Sequence, residues 1–312
     1  MTATDLRKFS DPVVTVSGET RASVDYKGTK TLWLNTGTLC NITCENCYIE
    51  SSPSNDRLVY LQLSDVTPFL DELDMAGEHA IEIGITGGEP FMAPEILKII
   101  EAILVRGHRV LVLTNAMKPM MRPRVKGGLV ALREKYPDRM VLRVSLDHYS
   151  AAKHDAERGP GSFDEAVLGL RWLAENGFQV HLAGRTIWQD SLDVSRQGYA
   201  ALIKALDLAI NVDDPSQLVL FPEMQADDDP PEITTACWQI LDKNPDELMC
   251  ASQRMVVRRK GAAQATVVAC TLLPYEPEFE MGRTLSESRQ AVSLNHAFCA
   301  SFCVLGGGSC SA

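Results

Sequence analysis

The chain has 312 residues, 45% of them hydrophobic and 23% charged, and a net charge of −11 at pH 7. That length suits one large α/β domain or a domain and a half, and that balance is ordinary for a soluble globular chain. The negative charge leaves no basic stripe to neutralise phosphates, which argues against nucleic-acid binding. Met1 to Lys8 contains no apolar signal core, and no segment has the length and apolarity to span a bilayer, so a cytoplasmic protein with no membrane partner is expected. Nine cysteines is an odd count, and high for a reducing compartment, which points to metal ligation rather than disulfides.

Residues 1–30 are polar without a strong period, apart from Val13-Val14-Thr15-Val16, and are expected to form an N-terminal extension, a small hairpin over the barrel. From 31 to about 222, apolar strand-like runs alternate with amphipathic ones, the pattern of a parallel sheet with crossover helices. Strands are predicted near 31–36, 81–86, 109–114, 140–146, 179–184 and 217–221. After the second strand, Pro94 opens a helix. It carries Ile96, Ile99, Ile100, Ile103 and Leu104 at helical spacing and stops at Gly107. Another helix runs near 163–175 and ends at Asn176-Gly177. Six β/α units over 31–223 fall short of a complete eight-stranded barrel, which needs more chain than remains. Met224 to Glu232, with Asp227-Asp228-Asp229-Pro230-Pro231, reads as a solvated acidic loop, placing a linker at 224–236 and a cysteine-rich domain at 237–312.

The first strand leads into Cys40-Asn41-Ile42-Thr43-Cys44-Glu45-Asn46-Cys47-Tyr48. A four-iron, four-sulfide cluster has four corner irons, each normally taking one thiolate. The C-x3-C-x2-C spacing supplies three from one loop and leaves the fourth iron open to a small molecule. The loop would sit at the C-terminal end of a strand, where α/β barrels keep their chemistry. A zinc site usually needs four ligands, and this loop offers three cysteines and no histidine. The second strand closes on Ile85-Thr86-Gly87-Gly88-Glu89-Pro90, whose glycines permit close backbone approach.

The cysteine loop and the GGEP turn, about forty residues apart, together resemble the radical S-adenosylmethionine (radical SAM) superfamily. The resemblance implies an α/β fold with a partial (β/α)6 TIM-like barrel, open on one side to admit substrate. It implies a 4Fe-4S cluster on Cys40, Cys44 and Cys47, with the SAM amino and carboxylate groups on the free iron. Gly87, Gly88 and Glu89 would serve the SAM amino group. Arg143-Val144-Ser145-Leu146-Asp147-His148-Tyr149 and Glu157-Arg158-Gly159 resemble stretches in which a serine and an arginine reach the SAM carboxylate. Ser145 and Arg158 take those roles here, since a guanidinium fork matches a carboxylate. A helix cap and a surface ion pair are the alternatives, and Arg185 is a second candidate for the arginine's task. Asn115 is either a SAM or substrate contact or a buried amide satisfying loop backbone. Asn46 departs from the family, which commonly has an aromatic residue there to support the adenine; here Tyr48 follows the third cysteine.

Six cysteines remain. Arg254 to Arg259 and Thr266 to Ala269 flank Lys260-Gly261 as a hairpin, with Cys250 before it and Cys270 at its end. The chain closes on Cys299, Cys303 and Cys310, the last two separated by glycines that let backbone N–H groups approach sulfides. This resembles the SPASM and Twitch extensions of radical SAM enzymes, which hold auxiliary 4Fe-4S clusters. Five cysteines cannot fill two clusters. One auxiliary cluster is expected from Cys250, Cys270, Cys299, Cys303 and Cys310, with Cys270 and the last three preferred. Zinc is the alternative, since tetrahedral thiolate sites take either metal. Cys237 reads as a buried core cysteine.

The resemblance implies cleavage of SAM to a 5′-deoxyadenosyl radical, driven by a one-electron reductant such as flavodoxin or ferredoxin, and hydrogen abstraction from a C–H bond. The expected substrate is a small biosynthetic metabolite, because residues 1–30 are too short for a peptide-recognition domain. A peptide-modifying maturase is the alternative. From another class, an iron–sulfur electron-transfer protein is disfavoured because a pure carrier needs no SAM site.

Overall fold

The computed structural model describes residues 7–222 and 229–310. After a short strand β1 (Ser23–Val24), the chain alternates β2 (Thr31–Asn35), α1 (Leu63–Met75), β3 (Glu82–Thr86), α2 (Ile96–Val105), β4 (Arg109–Thr114), α3 (Pro123–Lys135) and β5 (Met140–Ser145). Two helices come next, α4 (Ala151–Arg158) and α5 (Ser162–Glu175), then β6 (Gln179–Arg185), α6 (Leu192–Ala205) and β7 (Leu218–Phe221). Strands β2 to β7 pair in sequence order, all parallel. The six predicted strands are these six, and the sheet stays open, as a partial barrel.

The residues of each strand divide between two cores by the period of two that a pleated strand imposes. Leu32, Leu34, Ile83, Ile85, Val110, Val112, Leu142 and Val144 face the helices and pack on Phe69, Ile99, Leu129 and Leu170. Trp33 and Leu111 face the interior. Both faces of the sheet are therefore covered, which is why the strands read as continuous apolar runs.

The interior core is shared with the C-terminal region. Beyond two short helices, α7 (Cys237–Ile240) and α8 (Met249–Ser252), the predicted hairpin is present as β8 (Gln253–Val257) and antiparallel β9 (Thr266–Val268). Its first strand also pairs in parallel with β2, so the sheet order is β7-β6-β5-β4-β3-β2-β8-β9. The cysteine-rich segment expected as a separate domain at 237–312 thus continues the barrel sheet. The physical reason is the edge: β2 is apolar on both faces and needs a partner on each side. All five residues of β8 are buried, and the Trp33 indole donates to Gln253 Oε1 at 2.9 Å from 220 positions away.

Strand β1 pairs with β10 (Val292–Ser293), so the N-terminal extension lies on the C-terminal region. Its bridge Val14–Thr20 makes the small expected turn. Of the acidic stretch expected as a solvated linker, 223–228 lie outside the described residues. Glu232 departs from that reading. It is buried against Arg21 and accepts backbone N–H groups of Phe9 and Val16, both at 2.7 Å. A buried carboxylate paired this way clamps the N-terminal segment to the stretch that follows β7.

Close packing is tightest at Gly84 on β3. A Cβ there would lie 2.4 Å from the Trp33 ring, and Trp33 is held on its other side by Gln253. Gly84→Ala is expected to cost about 1–3 kcal/mol through overpacking, read as a lower urea midpoint. An unchanged midpoint would mean that the indole can shift.

Candidate active site

The loops after β2, β3, β4, β5 and β6 meet at the C-terminal ends of the strands. Cys40, Cys44 and Cys47 lie on the first. The GGEP turn on the second continues the β2–β3 pairing past the strands. Gly88 N donates to Gly37 O at 2.8 Å, and Glu89 N to Leu39 O at 3.2 Å. A Cβ on Gly88 would stand 2.2 Å from Leu39 O. At Gly87 φ is +134°, and a Cβ would stand 2.5 Å from Gly37 O. Only glycine fits either position, and the turn therefore holds the backbone that presents Cys40.

The Glu89 carboxylate, expected beside the SAM amino group, is turned into the fold and does not line the cleft. It is 1% exposed and accepts from Phe91 N at 3.1 Å, Thr114 Oγ1 at 2.9 Å and Asn115 N at 2.9 Å. It ties the exit of β3 to the end of β4, because buried acceptors must be satisfied. Asn115 is both a satisfied amide and a neighbour of the cysteine loop. Its Oδ1 accepts from Met117 N at 3.0 Å, and its Nδ2 donates to Asn41 Oδ1 at 2.9 Å, with Cys40 Sγ at 3.9 Å.

Helix α4, which local pattern did not predict, fixes the other side of the loop. Glu157 accepts Asn46 N at 2.9 Å and Asn46 Nδ2 at 2.8 Å, while its own carbonyl takes Glu45 N at 2.9 Å. The residue that departs from the family's aromatic is thus bound to the fold through its amide. Arg185 Nη1 donates to Glu157 Oε1 at 2.7 Å and to Asn46 O at 3.0 Å. Arg158 forks onto Asp147, Nε to Oδ2 at 2.6 Å and Nη2 to Oδ1 at 2.9 Å. Burial would raise the Asp147 carboxyl, but this guanidinium holds it below the usual carboxylate range. Sequence reading missed Asp147 and Glu157. Asp147 lies two residues past Ser145, on the same face of the strand's end, and Glu157 adjoins Arg158; those positions were the available signal.

These groups border an open cleft of about 1180 Å³. Gly87, Gly88, Asn115, Ser145, Arg158 and Arg185 line it together with the three cysteines; Glu89 does not. Tyr48 lines it too, and Leu272, Phe302 and Cys310 reach it from the C-terminal region. Ser51 Oγ is buried in its wall without a partner, beside Cys47 Sγ, which accepts Ser51 N at 3.3 Å. Burial pushes the Cys40 thiol up to about 12 and the Cys44 thiol up to about 11. Such thiols stay protonated until a metal takes the proton's place. Three thiols, an orphan hydroxyl and a guanidinium on one cleft fit an iron–sulfur cluster with a polar ligand beside it. Among the described residues, no three Cys, His, Asp or Glu side chains are arranged to hold a single ion.

The profile of the radical SAM superfamily matches residues 34–187, from β2 to the end of β6. The chain belongs to the radical SAM superfamily. A 4Fe-4S cluster and S-adenosylmethionine are the cofactors of such an enzyme, and the cysteine-rich C-terminus is consistent with a SPASM-type extension that carries an auxiliary cluster. AlbA of Bacillus subtilis (strain 168), an antilisterial bacteriocin subtilosin biosynthesis protein, is 32% identical over 146 residues, 46% of this chain and 30% of AlbA. The mycofactocin maturase MftC of Mycobacterium tuberculosis (strain H37Rv) is 33% identical over 172 residues, 54% of this chain and 39% of MftC. The chain thus matches less than half the length of either relative. Streptococcus suis SuiB bound to S-adenosylmethionine shares the fold, with a TM-score of 0.59 at 12% identity over 82% of this chain and 63% of SuiB. Among the described residues no helix is long and apolar enough to cross a membrane.

The C-terminal cysteines of this radical SAM enzyme divide between two places. Cys250, Cys270, Cys299 and Cys303 line a second cavity, and Cys310 lines the cleft. The closing glycines fold the chain back over Phe302, since a Cβ on Gly308 would lie 2.6 Å from its ring. Cys237 is half-buried rather than core, and its sulfur accepts Thr234 N at 3.4 Å.

Arg158→Ala is expected to cost about 3–5 kcal/mol, because it strands the buried Asp147 carboxylate. Adding Asp147→Ala should recover most of that in the denaturant midpoint, and no recovery would mean that the loss came from packing instead. Glu89 supplies a pH dependence. Burial pushes its carboxyl up from 4.5 to about 7, against the lowering effect of the Asn115 and Phe91 N–H groups. A raised carboxyl favours the folded state in its protonated form, so its contribution is full below 4.5 and is lost as pH rises through about 7. Cofactor-free protein should lose more stability between about pH 5 and about pH 8 than Glu89→Gln does; parallel profiles would show a carboxylate charged throughout.

Proposed function

We propose that this radical SAM enzyme is a peptide-modifying maturase, working in the cytoplasm with a one-electron carrier such as a flavodoxin or ferredoxin. What carries the reading is the one-third identity across the barrel to a bacteriocin biosynthesis protein and a mycofactocin maturase. SuiB, which shares the fold, is known bound to the precursor peptide SuiA. The expectation of a small metabolite gives way because its ground was the shortness of residues 1–30. That length bears on where a peptide's leader docks, not on what enters the cleft.

When bound, the cluster and SAM supply a 5′-deoxyadenosyl radical that takes a hydrogen atom from an unactivated C–H bond. The chain's own residues prepare that step. Cys40, Cys44 and Cys47 would hold three irons, on a loop braced by Gly88 from below and by Glu157 through Asn46. Arg158, already fixed by Asp147, and Ser145 would orient the SAM carboxylate; a guanidinium held in place gives up less freedom on binding. Phe221, Leu272 and Phe302 form an apolar wall that keeps water from a radical.

Anaerobic reconstitution should give about eight irons per chain, from two clusters of four. Cys40→Ala, Cys44→Ala and Cys47→Ala together should remove about half of that iron and all conversion of SAM to 5′-deoxyadenosine. Incubation with peptides encoded beside the gene should then give a mass change in one of them with wild-type protein only. Turnover of a small metabolite with every peptide unchanged would overturn the peptide assignment.

A further inference from the structure

We propose that Cys250, Cys270, Cys299 and Cys303 close the auxiliary cluster completely, with Arg254 as its buried counter-charge, and that Cys310 is not a ligand but a thiol in the wall of the reaction cleft. The proposal rests on the radical SAM reading above, and it narrows what the second cluster can do.

The four thiols share a small cavity whose other walls are hydrocarbon and thioether, among them Leu248, Met249, Leu273 and Phe279. A substrate site needs a few placed donors and acceptors, and this cavity offers sulfur alone. Three separate segments supply it. Cys250 lies on α8, Cys270 comes just after β9, and Cys299 and Cys303 sit on one π-helical turn, Cys299–Leu305. In that wide turn the bond runs from i to i+5, so residues four apart lie almost above one another and face the same way. Four thiols match four corner irons. Cys310 adjoins this cavity without lining it: its N–H donates to Met249 Sδ at 3.2 Å, but its sulfur is 3.1 Å from Thr271 Oγ1, Arg143 Nη1 donates to its carbonyl at 2.7 Å, and it lines the cleft. Leu272 stands in both walls and separates the cavity from the cleft.

Arg254 is the independent observation. Its side chain is buried, 1% exposed, and among the described residues it has no carboxylate partner. Its N–H groups donate only to carbonyls: Cys250 at 2.6 Å, Gln253 at 2.7 Å, Ser288 at 2.9 Å and Gln290 at 2.9 Å. Its guanidinium also lies over the Tyr26 ring, with Cζ 4.9 Å from the centroid, which is a face and not a counter-ion. A buried cation without a counter-ion is costly. Four thiolates on a cluster carry net negative charge and supply the missing partner. A cluster closed at all four irons passes electrons but has no open iron to chelate a substrate.

The test uses the full chain reconstituted anaerobically, with Cys40→Ala, Cys44→Ala and Cys47→Ala as background so that only the auxiliary iron remains. Adding Cys310→Ala or Cys310→Ser should leave about four irons and the electron paramagnetic resonance signal of the reduced cluster. Adding Cys250→Ala, Cys270→Ala, Cys299→Ala or Cys303→Ala should abolish or alter that signal. Loss on changing Cys310, with retention on changing one of the four, would overturn the assignment. One zinc and no iron in the background variant would overturn the cluster itself. In redox titration, Arg254→Gln should lower the cluster's potential and Arg254→Lys should hold it near wild type; an unmoved potential in Arg254→Gln removes the counter-charge role. SAM cleavage by the chain with Cys40, Cys44 and Cys47 intact checks the underlying reading separately.

Discussion

The mouth of the barrel depends on the contact between two strand ends, where Gly88 lies against the Leu39 carbonyl. Strands β2 and β3 stop pairing at Asn35 and Thr86, yet the backbone hydrogen bonds continue through Gly37 and Leu39. That continuation turns a flexible cysteine loop into a rigid one. Any Cβ at Gly88 would push the two apart at the residue just before Cys40, and a cluster site tolerates little displacement of its ligands.

The second constraint is electrostatic. Glu89, Asp147 and Glu157 are nearly fully buried carboxylates around one cleft, and each is satisfied by its own donors: two backbone N–H groups and a hydroxyl, a guanidinium fork, and an amide with Arg185. Buried charges persist only when paired in this way. Their common effect is to position groups that face the cleft, so the residues with the strongest claim on geometry are not those that touch the cofactor. Asn46, out of place as an adenine support, makes sense as the group through which α4 grips the loop.

The C-terminal region covers one edge of the open barrel as well as extending its sheet. Strand β8 covers the free edge of β2, and Phe302, Leu272 and Cys310 wall the cleft. Leu272, just after Cys270, borders both the reaction space and the four-thiol cavity, which places the two sites against one partition. Glu232 and Arg21 tie the N-terminal segment to the stretch just before the C-terminal region.

Strands, two of the crossover helices (α2 and α5) and the two motifs were legible in the sequence, because period-two burial, helical spacing and short-range cysteine and glycine patterns are local properties. The six barrel strands lie within a residue or two of their predicted bounds for that reason. What the sequence could not express is pairing at a distance. Nothing near Gln253 says that it meets Trp33, so the hairpin was legible and its place on the barrel edge was not. The direction of a side chain is equally non-local: Glu89 turns away from the cleft because Thr114 and Asn115 wait on the next strand. In the sequence the five C-terminal cysteines gave a preference for Cys270 and the last three, with Cys250 left over. Only packing on either side of Leu272 sorts four of them into one cavity and leaves Cys310 in another.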